Sequence, residues 1–238
     1  MISFIVPAYN EELEIASTIA AIRASAFRAA QSYEIIVVDD ASTDATPEIA
    51  AQLGARVISI NRRHIAAARN AGAYAAHGEY LFFVDADTRI NRVHIVEAIA
   101  ALEADYAGGS ARVVTDGFVP LWGRVLVRAF CTIYFGLNLG AGAFLFTTRR
   151  NFDAISGFDE EYFVGEEVWF SLALKKIGRF KVLREPILTS GRKLRMYSGL
   201  QILINSLAIV LGGPRAARSR AKLRIWYDGK REGCREIT

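Results

Sequence analysis

Four short apolar runs, separated by stretches with helical spacing, fill the first third of this 238-residue chain and leave few folds open to it. The runs are ISFIVP (2–7), YEIIVVDD (33–40), ARVISI (55–60) and EYLFFVDAD (79–87). Between them, EELEIASTIAAIRASA (11–26), TPEIAAQLG (46–54) and HIAAARNAGAYAAHG (64–78) place apolar residues at the intervals of one helix face. Pro47 in the first turn of the second helix and Gly54 just past its end are start and stop signals, and Gly78 reads as the stop of the third. The runs are nearly continuous in apolar residues rather than alternating, as expected of parallel strands covered on both faces. The pattern predicts an α/β fold with a Rossmann-like, mostly parallel central sheet flanked by helices and joined by right-handed crossovers.

In such sheets ligands bind beyond the carboxyl ends of the strands. Asp39 and Asp40 end the second run, Asp85 and Asp87 end the fourth, and Tyr9, Asn10 and Glu11 follow Pro7 at the end of the first. Taken singly, an aspartate leaving a strand is an ordinary turn former that bonds nearby backbone N–H groups. Four carboxylates delivered to one rim are a different matter, because without a counter-charge they repel and raise one another's pKa. A divalent cation, or a ligand rich in donors, resolves that conflict.

The second half is less regular. YAGGSARVVT (106–115) and GAGAFLFTT (140–148) read as strands, LWGRVLVRAFCTIYFG (121–136) as a helix, and GEEVWFSLALKKIG (165–178) as a helix with two glutamates in its first turn and Gly178 at its close. No repeat or Pro/Gly/Ser-rich linker divides the chain. One domain over 1–198 is expected, with a ligand-binding half (1–104) and an irregular half (105–198), followed by an apolar helix and basic tail over 199–238. The composition, 52% hydrophobic and 23% charged, supplies a full core. The net charge of +4 favours anionic ligands or a lipid surface and is too small to argue for nucleic acid. Cys131 and Cys234 have no zinc or redox spacing, so no disulfide framework is expected and a reducing compartment is the default. The start MISFIVPAYN reads as a strand and not as a signal peptide, so a cytoplasmic location is expected.

Four segments, VPAYNEE, IIVVDDASTD, AARNAG with the following GEYLFFVDADT, and ISGFDEEYFVGEEVWFSLALKKIG, occur in that order between Ser3 and Gly178. Together they resemble the family-two glycosyltransferases, which have the GT-A fold. The resemblance implies transfer of a sugar from a nucleotide-diphosphate sugar, a UDP- or GDP-sugar, to an acceptor hydroxyl with inversion. It implies a divalent cation, Mg²⁺ or Mn²⁺, at the family's D-x-D motif: Asp87 as metal ligand, with Asp85 near the nucleotide or also at the metal. Such a cation keeps several waters, takes other ligands from the diphosphate and acts as a Lewis acid toward the leaving group. Pro7, Tyr9 and Glu11 match positions lining the nucleotide pocket; Asp40, with Asp39 beside it, matches the acidic residue that accepts from the base. Arg69 serves either the nucleotide or an acidic partner. The acidic pair that supplies the general base falls on Glu166-Glu167, with Glu167 where aspartate is usual; either carboxylate is competent. Both are also favoured in a first helical turn by the helix dipole alone. Trp169 walls the acceptor pocket or belongs to the core.

Arg192 and Lys193, with Arg195, are candidates to close over the diphosphate, a solvated basic loop being the alternative. Ala129 to Thr148 is just long enough to span a bilayer. It holds Asn138 and three glycines, however, and a span there would separate Asp87 from Glu167, so it is rejected. The uncharged stretch 199–213 next to the basic run to 231 suits peripheral contact with the inner face of a membrane, or packing on the domain. A lipid-linked or envelope glycan would fit as acceptor. Two alternatives differ in class. A nucleotidyltransferase would more often carry a Gly-rich basic loop after its first strand, where this chain has PAYNEELE; a non-catalytic nucleotide-sugar binder or membrane-associated protein would hold nucleotide without turnover.

Overall fold

The computed structural model describes residues 1–115, 136–137, 139–192, 196 and 217–218. Its strands are β1 (Ile2–Ala8), β2 (Tyr33–Asp40), β3 (Arg56–Ile60), β4 (Tyr80–Val84), β5 (Thr88–Arg89), β6 (Tyr106–Thr115), β7 (Phe144–Thr148) and β8 (Arg179–Thr189). The helices are α1 (Ile15–Arg28), α2 (Thr46–Gln52), α3 (Ile65–Ala75), α4 (Arg92–Glu103), α5 (Arg149–Ala154) and α6 (Glu166–Ile177). All eight strands join one sheet in the order β3-β2-β1-β4-β7-β6-β8-β5. β7 is antiparallel to β4 and β6, and β5 is antiparallel to β8; the other pairings are parallel.

The apolar runs become strands because both faces of the sheet are covered. Every residue of β1 is buried. One face packs Ile15, Ile19 and Ile22 of α1 and Ile95 and Ile99 of α4 against Phe4, Val6 and Val37. The other packs Ala66, Ala68 and Ala73 of α3 and Phe170 and Leu174 of α6 against Ile5, Val38 and Phe83. The alanines of α3 let that helix lie close to the sheet. At Gly72 an added Cβ would meet Ile5 Cγ2 at 2.4 Å and Val38 Cγ2 at 2.9 Å. Gly72→Ala is therefore expected to destabilise the fold by about 1–3 kcal/mol through overpacking, measured by denaturant unfolding.

Several boundaries differ from the sequence reading. The helix expected from residue 11 begins at Ile15, because Glu11 to Glu14 form a turn whose carbonyl at Glu11 accepts from the N–H of Glu14 (3.0 Å) and of Ile15 (2.9 Å). The third helix ends at Ala75, three residues before Gly78. Gly78 is needed instead for close approach: a Cβ there would lie 2.6 Å from Ser3 Oγ. The fourth strand ends at Val84, so Asp85 and Asp87 lie in the turn after it, where Thr88 N donates to Asp85 O at 3.0 Å. Of the glycine-containing stretch 140–148, only Phe144–Thr148 is strand, in the middle of the sheet. Among the described residues no helix is long and apolar enough to cross a membrane. The helix expected at 121–136 apart from Gly136, the stretch 199–213, the basic tail apart from Ala217 and Arg218, and Cys131 and Cys234 lie outside the described residues.

Candidate active site

The carboxyl ends of β1, β2 and β4 open onto a cavity of about 380 Å³, closed on its far side by residues 163–167 and by Arg192 after β8. Pro7, Tyr9, Glu11, Asp40, Arg69, Asp85, Asp87, Glu166, Glu167 and Arg192 all line it. Chain positions as far apart as Pro7 and Arg192 thus meet in one hollow.

Each wall is held by backbone bonds that the local sequence supplies. The loop after β1 is tied to the loop after β2: Thr43 N donates to Asn10 Oδ1 (2.8 Å) and Glu11 N to Thr46 Oγ1 (2.7 Å). Asn10 takes a positive φ of 51°, a conformation asparagine tolerates better than most residues. Asp40 organises the entrance to α3. Its Oδ1 accepts from the N–H groups of Arg62 (2.7 Å) and Arg63 (2.8 Å), and its Oδ2 from His64 (2.6 Å). Arg63, at φ 49°, lays its guanidinium 3.2 Å from the centre of the Tyr9 ring. On the opposite wall Phe83 of β4 meets Phe158 and Phe170, which stack with centroids 4.0 Å apart. That aromatic wedge fixes the start of α6 and so the height of Glu166 and Glu167 over the sheet. Gly165, at φ 73°, makes the turn into the helix.

Arg69 sits at the centre of the acidic rim and is 1% exposed. Its Nη1 donates to Glu166 Oε1 (2.6 Å); its Nη2 donates to Asp85 Oδ1 (2.9 Å) and to the carbonyl of Gly142 (3.0 Å). Of the two roles that the sequence left open for Arg69, the geometry shows the acidic partner. Glu166 is buried in this ion pair. Glu167 faces the cavity next to it, and burial, with the charge of Glu166 added and Arg69 opposing, pushes its carboxyl up to about 8. Burial likewise raises Asp85 to about 6, against the pull of Arg69 and with the charge of Asp87 adding to the rise. A carboxyl displaced this far takes and releases a proton near neutral pH.

Asp87 lies on the same cavity with Oδ2 3.1 Å from Arg192 Nη2 and Oδ1 accepting from the Thr189 hydroxyl at 3.3 Å. Arg192 also forks onto Glu11, both distances 2.6 Å. Among the described residues no three His, Cys, Asp or Glu side chains form a ready-made metal cage. The oxygen donors of Asp87 and Asp85 suit a hard divalent cation that takes its remaining ligands from water and phosphate.

Asp39 does not join this group. It is 6% exposed, does not line the cavity, and its Oδ1 has no hydrogen-bond partner. Strand alternation explains the split, since Asp39 shares the face of Ile35 and Val37 under α1 while Asp40 shares that of Ile36 and Val38 under α3. Trp169 stacks on Tyr162 at 4.7 Å and is not among the lining residues. Lys193 lies outside the described residues. Two titratable lining residues escaped the sequence reading: Arg63 and His64. His64 caps α3 through Nδ1, which accepts from Ala67 N at 3.4 Å, and burial lowers its pKa. Its place just before an alanine-rich helix was the available signal.

The family model described as Glycosyl transferase family 2 matches residues 3–157, well over half of the chain. The chain belongs to this family. The matched span holds Asp85 and Asp87 and stops before Glu166. The succinoglycan biosynthesis protein ExoO of Rhizobium meliloti is 32% identical over 202 residues, 80% of this chain and 56% of that protein. The 4,4'-diaponeurosporenoate glycosyltransferase of Staphylococcus haemolyticus is 33% identical over 105 residues, 41% of this chain and 27% of that protein. This family-two chain therefore spans about half or less of the length of these relatives. The crystal structure of S. aureus TarS 1-349 in complex with UDP-GlcNAc superimposes with a TM-score of 0.64 at 21% identity, covering 96% of this chain and 71% of that one. That likeness establishes the shared fold, a curled and mostly parallel sheet flanked by helices, as the sequence led us to expect.

Proposed function

We propose that this family-two chain transfers a sugar from a nucleotide-diphosphate sugar to an acceptor hydroxyl, with inversion, and that Glu167 is the general base. One observation carries the reading: Asp87 and Glu167 open onto one cavity, while Glu166 is neutralised by Arg69. The raised pKa of Glu167 supports the base role further. The nucleotide lies along the ends of β1 and β2 over Tyr9, with Asp40 and Glu11 beside it. A UDP-sugar is favoured among donors, since the TarS structure of the same fold holds UDP-GlcNAc. Asp87, assisted by Asp85, holds a divalent cation, Mg²⁺ or Mn²⁺, which when bound neutralises charge on the leaving diphosphate. Arg192, already at this edge, is placed to take a phosphate.

The chain's own residues do the rest. Glu167 accepts the proton of the acceptor hydroxyl as its oxygen attacks the anomeric carbon. The bond from that carbon to the diphosphate oxygen breaks, and the nucleoside diphosphate leaves with the electron pair. Residues 163–167 and Gly142 wall the side from which the acceptor approaches. A carboxylate worth about 10²–10⁴-fold as a general base is in keeping with this role.

Thermal melts with UDP, GDP, CDP and dTDP, each with Mn²⁺, Mg²⁺ or EDTA, test the donor site. One nucleotide with a metal is expected to stabilise the fold by about 2.7 kcal/mol at a hundred times its dissociation constant. The shift should vanish with EDTA and in Asp87→Asn. If none of the four nucleotides shifts the melt under any condition, the transferase reading is wrong.

A further inference from the structure

Arg192 is one of three arginines that line this cavity, with Arg63 and Arg69, and it is bonded directly to Asp87. Its guanidinium grips Glu11 with both outer nitrogens at 2.6 Å and reaches Asp87 Oδ2 at 3.1 Å. The three side chains are 13%, 7% and 15% exposed, so the cluster is screened from bulk water. Thr189 occupies the other oxygen of Asp87. A divalent ion approaching Asp87 alone would meet a fixed positive charge about 3 Å from its ligand atom and would have to break a charge-assisted bond. A diphosphate changes the balance, because it offers the planar fork of Arg192 a bidentate partner of its own.

Resting on the donor-site reading above, we infer that Arg192 stands in for the divalent cation until nucleotide binds and yields Asp87 only when a diphosphate draws it away. Cation and nucleoside diphosphate then bind as a pair, and the cation by itself is turned back. The ion pair between Arg192 and Glu11 would set this order of binding without touching the sugar.

The experiment is Mn²⁺ binding, followed by the electron paramagnetic resonance of free Mn²⁺, on the full chain with and without UDP, and again with GDP. The wild type is expected to bind Mn²⁺ about tenfold more tightly or better when a nucleotide is present. Arg192→Met should bind Mn²⁺ alone about tenfold more tightly than the wild type and lose most of the nucleotide-dependent gain. Arg192→Lys keeps the charge without the fork, and should bind Mn²⁺ alone about as weakly as the wild type while gaining less from the nucleotide. Arg63→Gln removes a positive charge from the same cavity without freeing Asp87, and should change Mn²⁺ binding by less than about threefold.

If Arg192→Met binds Mn²⁺ alone no better than the wild type, the inference is overturned. An equal gain in Arg63→Gln would overturn it too, by reducing the effect to general charge. Should either nucleotide bind the wild type equally well in EDTA, the pairing idea falls and the nucleotide reading stands. Failure of both nucleotides to bind with or without Mn²⁺ removes both. Circular dichroism of each variant separates a folding defect from these outcomes, and Arg192→Lys tests the charge if the methionine variant is unfolded.

Discussion

Glu167→Gln is expected to cut turnover by about 10²–10⁴-fold while leaving nucleotide binding intact, and at pH 8 to raise the melting temperature. The two effects have one origin. Glu167 is a carboxyl held in a walled cavity beside Glu166, and burial and that neighbour raise it from the ordinary glutamate range to about 8. Between those two values the folded chain keeps a proton that the unfolded chain has released. Stability therefore falls as pH rises through the window from about 4.5 to about 8. Glutamine has the same shape and no such titration, so the advantage of the variant in thermal melts should grow from pH 5 to pH 8. The base itself works only when ionised, so kcat/KM of the wild type should climb across the same range toward pH 8. Turnover within about threefold of wild type in Glu167→Gln, combined with its loss in Glu166→Gln, would exchange the roles of the two glutamates.

Arg69→Met carries the second large effect, on the fold. Removing a fully buried guanidinium leaves the carboxylates of Asp85 and Glu166 without their counter-charge, which costs about 3–5 kcal/mol. In a domain of this size that is roughly 10 °C of melting temperature. The pH dependence has a definite sign. Asp85 is already raised to about 6 against the pull of Arg69, so without that pull it binds a proton still more readily in the fold than in the unfolded chain. The deficit should shrink at pH 5 and be largest at pH 8. Adding Glu166→Gln to Arg69→Met should restore part of the loss, because one of the two orphaned charges disappears. A melting temperature unchanged by Arg69→Met would mean that the rim does not depend on this ion pair.

Much of this is legible in the amino-acid sequence. Continuous apolar runs at 2–7, 33–40, 55–60 and 79–87 dictate buried parallel strands, because a chain with that pattern has no polar face to offer water. The carboxylates at their ends then fall on one rim, since all strands of a parallel sheet point the same way. Local rules fared worse where a residue serves a distant neighbour. Gly78 looked like a helix stop and is instead the place where the backbone approaches Ser3. Adjacent Asp39 and Asp40 looked equivalent and were parted by the two-residue period of the strand, one under α1 and one beside the cavity.

The linear chain thus determined the fold and the chemical kinds of group at its rim, because hydrophobic periodicity and strand polarity are properties of neighbours in sequence. Which acid meets which base was decided only in three dimensions. The pairing of Arg69 with Asp85 and Glu166, 16 and 97 residues away, leaves Glu167 as the unpaired glutamate of the two. The grip of Arg192 on Glu11 and Asp87 likewise joins groups far apart in sequence, Glu11 lying 181 residues away. Coulomb energy depends on separation in space, and no spacing along the sequence encodes it.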